Sequence, residues 1–233
     1  MGNEAIDIAR LEEIAEQEAR IAGLLLVRDE GGLSLSDGDM SIRGDFTRMI
    51  PRLKPANLSR ELLAKAARVK GCEKPVAFDA TAGLGEDSLL LAAAGFTVFL
   101  HERNPVIAAL LNDALERAAL ERALADATAR MHLVVGDSVQ ALRECTHHPD
   151  VVLLDPMFPG RTKSAAVKKK LQLLQRLEHP CEDEQALLDA AFAAHPRKIV
   201  VKRPQKGPYL AGRKPDYSLE GKAIRFDCYA LPR

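Results

Sequence analysis

The sequence predicts an α/β protein built on an open, mostly parallel, doubly wound sheet with a small N-terminal α+β extension. From residue 76 onward, apolar strand-like segments alternate with segments of helical apolar spacing. The segments VVLLD (151–155) and KIVVK (198–202) are apolar at consecutive positions, which is typical of strands covered by helices on both faces. We therefore predict an extension over residues 1–70 and a larger domain over residues 71–233.

The elements follow from local patterns along the chain. In the extension, the patterns predict a helix over 5–20, a hairpin around Asp29–Gly32, and a helix over 57–70 that ends before Gly71. In the larger domain, strands are predicted at 76–81, 97–103, 132–137, 150–156 and 198–204. Helices are predicted at 86–95, 105–125, 138–144, 164–177 and 183–194. The tail, residues 224–231, predicts one or two further strands.

Composition excludes several classes of protein. The 233 residues carry 33 Lys plus Arg and 33 Asp plus Glu, and a 47% hydrophobic content is enough for a core, which argues against a disordered chain. No apolar run approaches the roughly 20 residues that span a bilayer, and the N-terminus lacks a secretion signal. The four cysteines contain no C-x-x-C pair. We expect a cytoplasmic protein with reduced thiols, no membrane partner and no metal.

Basic residues are concentrated in the second half of the chain. Residues 156–177 contain six bases and no acid, and residues 197–215 contain seven bases and no acid. A phosphate backbone requires a local basic face rather than a basic protein. With aromatic residues at 4% and no Trp, a binder of single strands built on stacked rings is disfavoured. The predicted contacts to RNA phosphates are Arg161, Lys163, Lys168, Lys169, Lys202 and Arg203.

A nucleotide-type cofactor is predicted at the carboxyl ends of the first three domain strands. The first strand leads into a G-x-G turn, Gly83 and Gly85, where backbone can approach a ligand and a following helix presents free N–H groups. Glu102 ends the second strand, where a carboxylate can accept both hydroxyl groups of a ribose. Asp137 and Ser138 follow the third strand, where a polar side chain can meet the amine of adenine.

Two cofactors fit this pattern. A dinucleotide would favour a third glycine, but that position is Ser88, and Asp87 brings negative charge to the place of a pyrophosphate. The sulfonium and amino groups of S-adenosylmethionine suit the carboxylates of Asp79, Asp87 and Asp155 better. The residues favour S-adenosylmethionine and leave a dinucleotide as the alternative.

The segment Asp155-Pro156-Met157-Phe158, after the fourth strand, indicates the reaction. It fits the pattern of enzymes that methylate exocyclic amino groups of bases, whose lone pair is delocalised into the ring. The Asp155 carboxylate and the Pro156 carbonyl can each accept one N–H bond, and Phe158 can stack on the base. Methyl transfer then depends on positioning and electrostatics, and it needs no metal.

Five segments together resemble a known family: DATAGLG, HERNPVIAALLNDAL, LLDPMFPGRTKSAAVKKK, VVKRP and IRFDCYAL. From about residue 76 to 230 the chain resembles the bacterial small-subunit ribosomal RNA (guanine-N2)-methyltransferases, the J family. The resemblance implies a Rossmann-like class I methyltransferase that uses S-adenosylmethionine to methylate N2 of a guanine near the 3′ end of 16S rRNA. Its partner would be 16S rRNA or the 30S subunit. The donor contacts that it implies are Glu86, Asp87, Glu102, Arg103, Asp137, Ser138 and Asp155.

Two alternatives remain at this point: an amino methyltransferase for DNA or another RNA, and a non-methylating nucleotide-binding protein of the same fold. The sequence leaves open which guanine is modified, whether naked RNA or the assembled subunit is the substrate, and the oligomeric state. It also leaves open what residues 1–70 do.

Overall fold

The computed structural model describes residues 8–146, 148–156, 172–174, 176–177 and 183–232. The extension contains α1 (Ile8–Ile21), β1 (Leu25–Asp29), β2 (Gly32–Ser36), β3 (Ser41–Ile42), α2 (Ile50–Leu53), α3 (Pro55–Leu58) and α4 (Leu62–Ala67). The first half of the larger unit contains β4 (Val76–Asp79), α5 (Glu86–Ala93), β5 (Thr97–Glu102), α6 (Pro105–Leu120), α7 (Ala125–Thr128) and β6 (Met131–Val135). The second half contains α8 (Ser138–Arg143), β7 (Val151–Leu154), α9 (Glu184–Ala193), β8 (Lys198–Pro204), β9 (Tyr217–Glu220) and β10 (Ile224–Ala230).

The larger sheet is a doubly wound sheet, as predicted. Over the described residues its strand order is β6-β5-β4-β7-β8-β10-β9. Strands β4 to β8 pair in parallel, whereas β10 runs antiparallel to both β8 and β9. The order reverses between β4 and β7, so the carboxyl ends of these neighbouring strands diverge into a crevice where such folds bind ligands.

Both faces of the sheet are covered, which explains its continuous apolar strands. Along β7, Val151 and Leu153 pack in a core with α4 and α5, while Val152 and Leu154 pack with α8 and α9 on the other face. Along β8, Val200 belongs to the first core, and Ile199 and Val201 belong to the second. Successive strand side chains point to opposite faces, so a strand buried on both sides needs apolar residues throughout.

The helices on these faces begin at side-chain caps. The carboxamide oxygen of Asn104 accepts the N–H groups of Val106 and Ile107, and Pro105 occupies the first turn of α6. Asp137 and Asp183 cap α8 and α9 in the same manner. Such caps satisfy N–H groups that have no partner within the helix. Asn104 and Asp137 also follow strands directly, so these two caps set how each strand turns into its helix.

The extension packs on α6 rather than standing apart. Leu11, Ala15 and Ala19 of α1 share a core with the buried face of α6 and with the hairpin β1–β2. At the edge of this core, the buried carboxylate of Asp113 pairs with Arg28 of β1, at 2.8 Å. The hairpin at Asp29–Gly32 is therefore confirmed, and the predicted helix 5–20 is confirmed from Ile8 onward, since residues 5–7 lie outside the described residues.

Two predicted helices are shorter than expected. The predicted helix over 57–70 is wrong as a single element, because Glu61 adopts an extended conformation (ψ 129°) and separates α3 from α4. The Glu61 carboxylate accepts two hydrogen bonds from Arg52, at 2.8 Å each, which favours this break. The predicted helix 105–125 ends at Leu120, and α7 follows after the extended Glu121. Of the predicted helix 164–177, residues 172–174 are helical and most of the rest lies outside the described residues.

No helix among the described residues combines the length and the apolar character needed to cross a membrane.

Substitution of Gly85 tests how tightly the turn after β4 is packed. It has φ +77°, and a Cβ atom there would lie 2.7 Å from the buried Leu111 side chain. We expect Gly85→Ala to lose about 1–2 kcal/mol from the left-handed backbone and about 1–3 kcal/mol more from overpacking. The control is Gly71→Ala, which shares the positive φ (+69°) but has open space around it. Urea unfolding measures both variants, and equal losses would contradict the packing argument.

Candidate functional site

A cleft of about 440 Å³ opens at the carboxyl ends of the parallel strands. Its wall includes residues at or just beyond the ends of β4, β5, β6 and β7, together with one from β8: Asp79, Glu102, Asp137, Asp155 and Lys202. The G-x-G turn of Gly83 and Gly85 forms another part of the wall. The volume falls within the range of small-molecule sites, about 300–1,000 Å³. The structure thus brings the predicted cofactor residues to one place.

The cleft is acidic. Burial lowers the pKa of His101 to about 4, so its ring adds no positive charge near neutral pH. Lys202 and Arg103 are the only cationic side chains in the wall over the described part of the chain. The wall holds six carboxyl groups, from Asp79, Glu86, Asp87, Glu102, Asp137 and Asp155. An acidic cleft attracts a cationic ligand and repels a pyrophosphate.

The Glu102 carboxylate is held by backbone donors. It accepts the N–H of Gly83 at 3.0 Å and the N–H of Asn104 at 2.8 Å, one at each oxygen. Gly83 has φ +54°, a left-handed conformation that glycine adopts without a steric cost. The turn after β4 and the carboxylate after β5 therefore fix each other. An ionised carboxylate is an acceptor with about four lone-pair sites, so its chemistry suits the hydroxyl groups of a ribose.

Asp79 is buried below the cleft floor, with 2% of its surface exposed. Its carboxylate accepts the hydroxyl of Ser88 at 2.6 Å and the N–H of Thr81 at 3.1 Å. Burial raises the pKa of Asp79 to about 7, although these two hydrogen bonds oppose the shift. Asp79 is therefore a carboxyl group that changes charge near neutral pH, and its first role is to join the end of β4 to α5.

Asp155 and Asp87 are bridged by Lys202. The Lys202 ammonium lies 2.9 Å from Asp155 and 2.6 Å from Asp87. In the parallel pairing of β7 with β8, Leu154 is opposite Val201, so the next residues, Asp155 and Lys202, are neighbours. Burial raises the pKa of Asp155, and the charge of Lys202 opposes that rise. Burial alone would lower the pKa of Lys202, but Asp155 and Asp87 outweigh it and raise that pKa.

The backbone of Asp155 is also anchored. Its N–H donates to the Thr81 hydroxyl at 2.6 Å, which connects the end of β7 to the turn after β4. Pro156 follows as a buried residue in the cleft wall. The Asp155 side chain keeps 39% of its surface exposed, toward the cleft that it lines. Asp155 is thus accessible to a ligand while its main chain is held on both sides.

The remaining predicted donor contacts lie at the rim. Asp137 accepts the N–H of Val139 at 2.7 Å through Oδ1, so this side chain caps α8 and also lines the cleft. Ser138 lines the cleft beside it, and Arg103 and Glu86 are exposed at its edge.

Two of the predicted RNA contacts require correction. Arg203 is 1% exposed and its guanidinium pairs with Glu184 at 3.1 Å, so it has no surface to offer a phosphate. Lys202 lies in the cleft between two carboxylates rather than on an outer basic face. The alternation of side chains along β8 explains both outcomes, because consecutive residues of a strand covered on both faces point into the molecule. The other predicted contacts, Phe158, Arg161, Lys163, Lys168 and Lys169, lie outside the described residues.

Sequence reasoning missed Thr81 and Ser88 in this site, and it gave Lys202 a different role, a contact to RNA phosphate. Thr81 and Ser88 hold Asp155 and Asp79, and Lys202 neutralises part of the acidic cleft. Lys202 carried a signal, because it interrupts an apolar strand that adjoins the strand ending at Asp155. The hydroxyl groups carried none, since a Thr or Ser in a turn has many possible partners. No cluster of His, Cys, Asp and Glu in the described ranges is arranged to hold a metal ion.

The family and the fold of this chain are those of S-adenosylmethionine-dependent methyltransferases. Residues 9–231 match the SAM-dependent methyltransferase family. The crystal structure of the SAM-dependent methyltransferase NGO1261 from Neisseria gonorrhoeae is similar, with a TM-score of 0.72 and 33% identity. That similarity covers 94% of this chain and 91% of the other. The class of the protein follows from this agreement, and its cofactor is S-adenosylmethionine.

The more specific family follows from the sequences of relatives. Ribosomal RNA small subunit methyltransferase J of Thioalkalivibrio sulfidiphilus is 46% identical, over 88% of this chain and 84% of that protein. The protein of the same name from Pseudomonas aeruginosa is 45% identical, over 92% of this chain and 84% of that protein. The chain belongs to the ribosomal RNA small subunit methyltransferase J family.

The residues of the cleft fit S-adenosylmethionine. The excess of carboxylates over cations suits a ligand that carries a sulfonium and an amino group, and the oriented Glu102 suits a ribose diol. Asp137 lines the rim of the cleft. Both N–H groups that it caps donate to its Oδ1 atom, so its Oδ2 atom suits the amine of adenine. The predicted preference for S-adenosylmethionine over a dinucleotide agrees with the family to which the chain belongs.

The raised pKa of Asp79 predicts a pH-dependent stability. Between the ordinary pKa of 3.8 and about 7, the folded protein keeps a proton that the unfolded chain releases. Stability from this group is present at low pH and is lost as pH rises through about 7. We expect Asp79→Asn to remove up to about 3 kcal/mol of the stability difference between about pH 5 and about pH 8.

Urea unfolding of the two proteins at these two pH values measures the effect. Asp126→Asn, which removes an exposed carboxyl group from α7, is the control and should keep the wild-type pH dependence. If Asp79→Asn and Asp126→Asn give the same dependence, Asp79 is not the group responsible.

Proposed function

We propose that this protein transfers a methyl group from S-adenosylmethionine to the exocyclic N2 of a guanine near the 3′ end of 16S rRNA. The observation that carries the proposal is Asp155, a partly exposed carboxylate that precedes Pro156 in the wall of the donor cleft. The relatives named as small-subunit rRNA methyltransferases support 16S rRNA or the 30S subunit as the substrate. The choice of guanine N2 as the methylated atom is supported by the Asp-Pro-x-Phe pattern.

S-adenosylmethionine supplies an electrophilic methyl group bonded to a positively charged sulfur. The guanine N2 lone pair is delocalised into the ring, so the nitrogen must be held in a geometry that frees it. In the proposed reaction, the Asp155 carboxylate and the Pro156 carbonyl each accept one N–H bond of the amine. The nitrogen–carbon bond forms as the carbon–sulfur bond breaks, and one proton then leaves N2.

The surroundings of Asp155 suit this role. A carboxylate is a strong acceptor only when it is ionised, and Lys202 at 2.9 Å favours the ionised form against the effect of burial. Thr81 restrains the Asp155 backbone, which limits the positions that the carboxylate can take. Preorganised acceptors of this kind lower the cost of orienting the substrate. Asp155 is also the candidate acceptor of the proton that leaves N2.

Asp155→Asn tests the role of the carboxylate. The amide preserves size but replaces one acceptor by a donor, so we expect methyl transfer to fall by about 100-fold or more. Initial rates with labelled S-adenosylmethionine and 30S subunits lacking this methylation measure the loss. Calorimetry with S-adenosylmethionine should still detect binding.

The product of the wild-type reaction tests the proposed position. Digestion of the modified 16S rRNA and mass spectrometry should detect N2-methylguanosine in a 3′-terminal fragment. Methylation of another base, or of DNA in preference to rRNA, would contradict the proposal. Full activity of the Asp155→Asn variant would remove Asp155 from the mechanism.

Lys202→Met tests the electrostatic part. Removal of the ammonium leaves Asp155 and Asp87 without their shared cation, so the pKa of Asp155 should rise. The acid limb of the kcat profile should therefore move to higher pH, by about one unit or more. The control is Lys222→Met, an exposed lysine between β9 and β10, which should keep the wild-type profile. An unmoved acid limb in Lys202→Met would show that Lys202 does not act on the group that titrates.

A further inference from the structure

A second cavity, of about 520 Å³, adjoins the donor cleft. The extension provides one wall, with Arg52, Asn57 and Arg60 from the α2–α4 segment. The sheet and α5 provide the other wall, and three residues line both cavities: Glu86, Asp87 and Lys202. The bridge from Lys202 to Asp87 therefore forms a partition with the donor cleft on one side and the second cavity on the other.

The charges of this cavity are arranged in two zones. Inside, two of the three acids are paired: Glu61 accepts two hydrogen bonds from Arg52, and Asp87 pairs with Lys202. The third acid, Glu86, is exposed at the edge that the cavity shares with the donor cleft. Leu62 and the buried Phe226 add apolar surface. Outside, the segment from residue 46 to 70 carries seven bases and one acid, an excess of bases nearly as large as that of the two acid-free stretches in the second half of the chain.

The rim beside the cavity is exposed and basic. Arg52 and Arg60 line the cavity and are exposed, and Lys54 between them is exposed as well. A nucleotide has the matching division of chemistry, because its base is neutral with an apolar face and its phosphate is anionic. Paired polar groups and apolar side chains suit the base and ribose, and the exposed guanidinium of Arg60 at the rim suits the phosphate.

We propose that this second cavity is a subsite for the RNA strand and holds a nucleotide next to the target guanosine, with its phosphate at Arg60. The inference rests on the proposed function, since it assumes that the acceptor is RNA. It gives the extension a role in substrate binding. It also explains why the cavity is next to the donor cleft, where Lys202 lines the cavity and pairs with Asp155. Recognition by single-nucleotide pockets beside a catalytic cleft is available only to an unpaired or extruded strand.

Arg60→Glu tests the phosphate contact. Its backbone N–H ends the turn after α3, and the side chain is exposed, so the fold should tolerate the change. We expect KM for 30S subunits, and the Kd for a 16S rRNA transcript in filter binding, to rise about tenfold or more. The dependence of log Kd on log salt, between about 50 and about 200 mM, should become shallower by about 0.7–0.9. The kcat value and the affinity for S-adenosylmethionine should stay at wild-type levels.

Lys65→Glu is the matched control. It makes the same charge change on the same segment, at an exposed residue of α4 that does not line the cavity. A second pair tests the cavity itself without a change of charge: Asn57→Trp fills it, whereas Ala56→Trp adds the same ring on the same short helix outside the lining. Only the lining variants of each pair should weaken RNA binding.

The outcomes separate this inference from the proposed function. If wild-type protein methylates no rRNA, the proposed function fails, and the binding measurements still decide the subsite. If Arg60→Glu and Lys65→Glu weaken RNA binding equally, the effect is long-range electrostatic attraction rather than a specific contact, and the proposed subsite is wrong. Unchanged KM and Kd in both Arg60→Glu and Asn57→Trp would overturn it as well.

Discussion

The cation of Lys202, between Asp87 and Asp155, connects α5, β8 and the end of β7 in the wall of the donor cleft. Parallel strands bring their carboxyl ends to one edge, so acids that follow several strands gather there and repel one another. One partly buried cation offsets part of that repulsion and pairs with both carboxylates. The donor cleft and the second cavity share Asp87 and Lys202 of this bridge as lining residues.

Two arginines, Arg203 of β8 and Arg225 of β10, are buried and have an internal function instead of a surface one. The guanidinium of Arg203 donates to the Pro208 carbonyl at 3.0 Å and pairs with Glu184. Arg225, also buried, pairs with Asp227 and donates to three loop carbonyls, those of Pro204, Gln205 and Gly207. These contacts hold the loop after β8 next to Lys202. Breaking a buried pair of this kind costs about 3–5 kcal/mol because an uncompensated charge remains, so these arginines stabilise the site indirectly.

The extension is integrated with the methyltransferase unit at two places. Its first helix and hairpin cover α6, while its later helices approach α5 and β10 and line the second cavity. Helix α6 is therefore buried on two sides, against the sheet and against the extension. A segment that only capped the sheet would need no concentration of bases, whereas residues 46–70 carry seven. The predicted boundary near residue 70 separates two patterns of sequence and remains a prediction about domains.

The amino-acid sequence by itself determined the architecture of the larger unit, since apolar runs alternating with helical spacing require a parallel sheet covered on both faces. It also determined which residues lie at or just beyond the strand ends, and hence Asp79, Glu102, Asp137 and Asp155 as four of the six acids of the cleft. Only the tertiary structure decided which bases face outward. Arg203 and Lys202 belong to a basic run, yet both point into the molecule, because strand alternation and packing orient each side chain separately. Local sequence specifies where a charge lies along a strand, and the partner that neutralises it comes from residues distant in the chain.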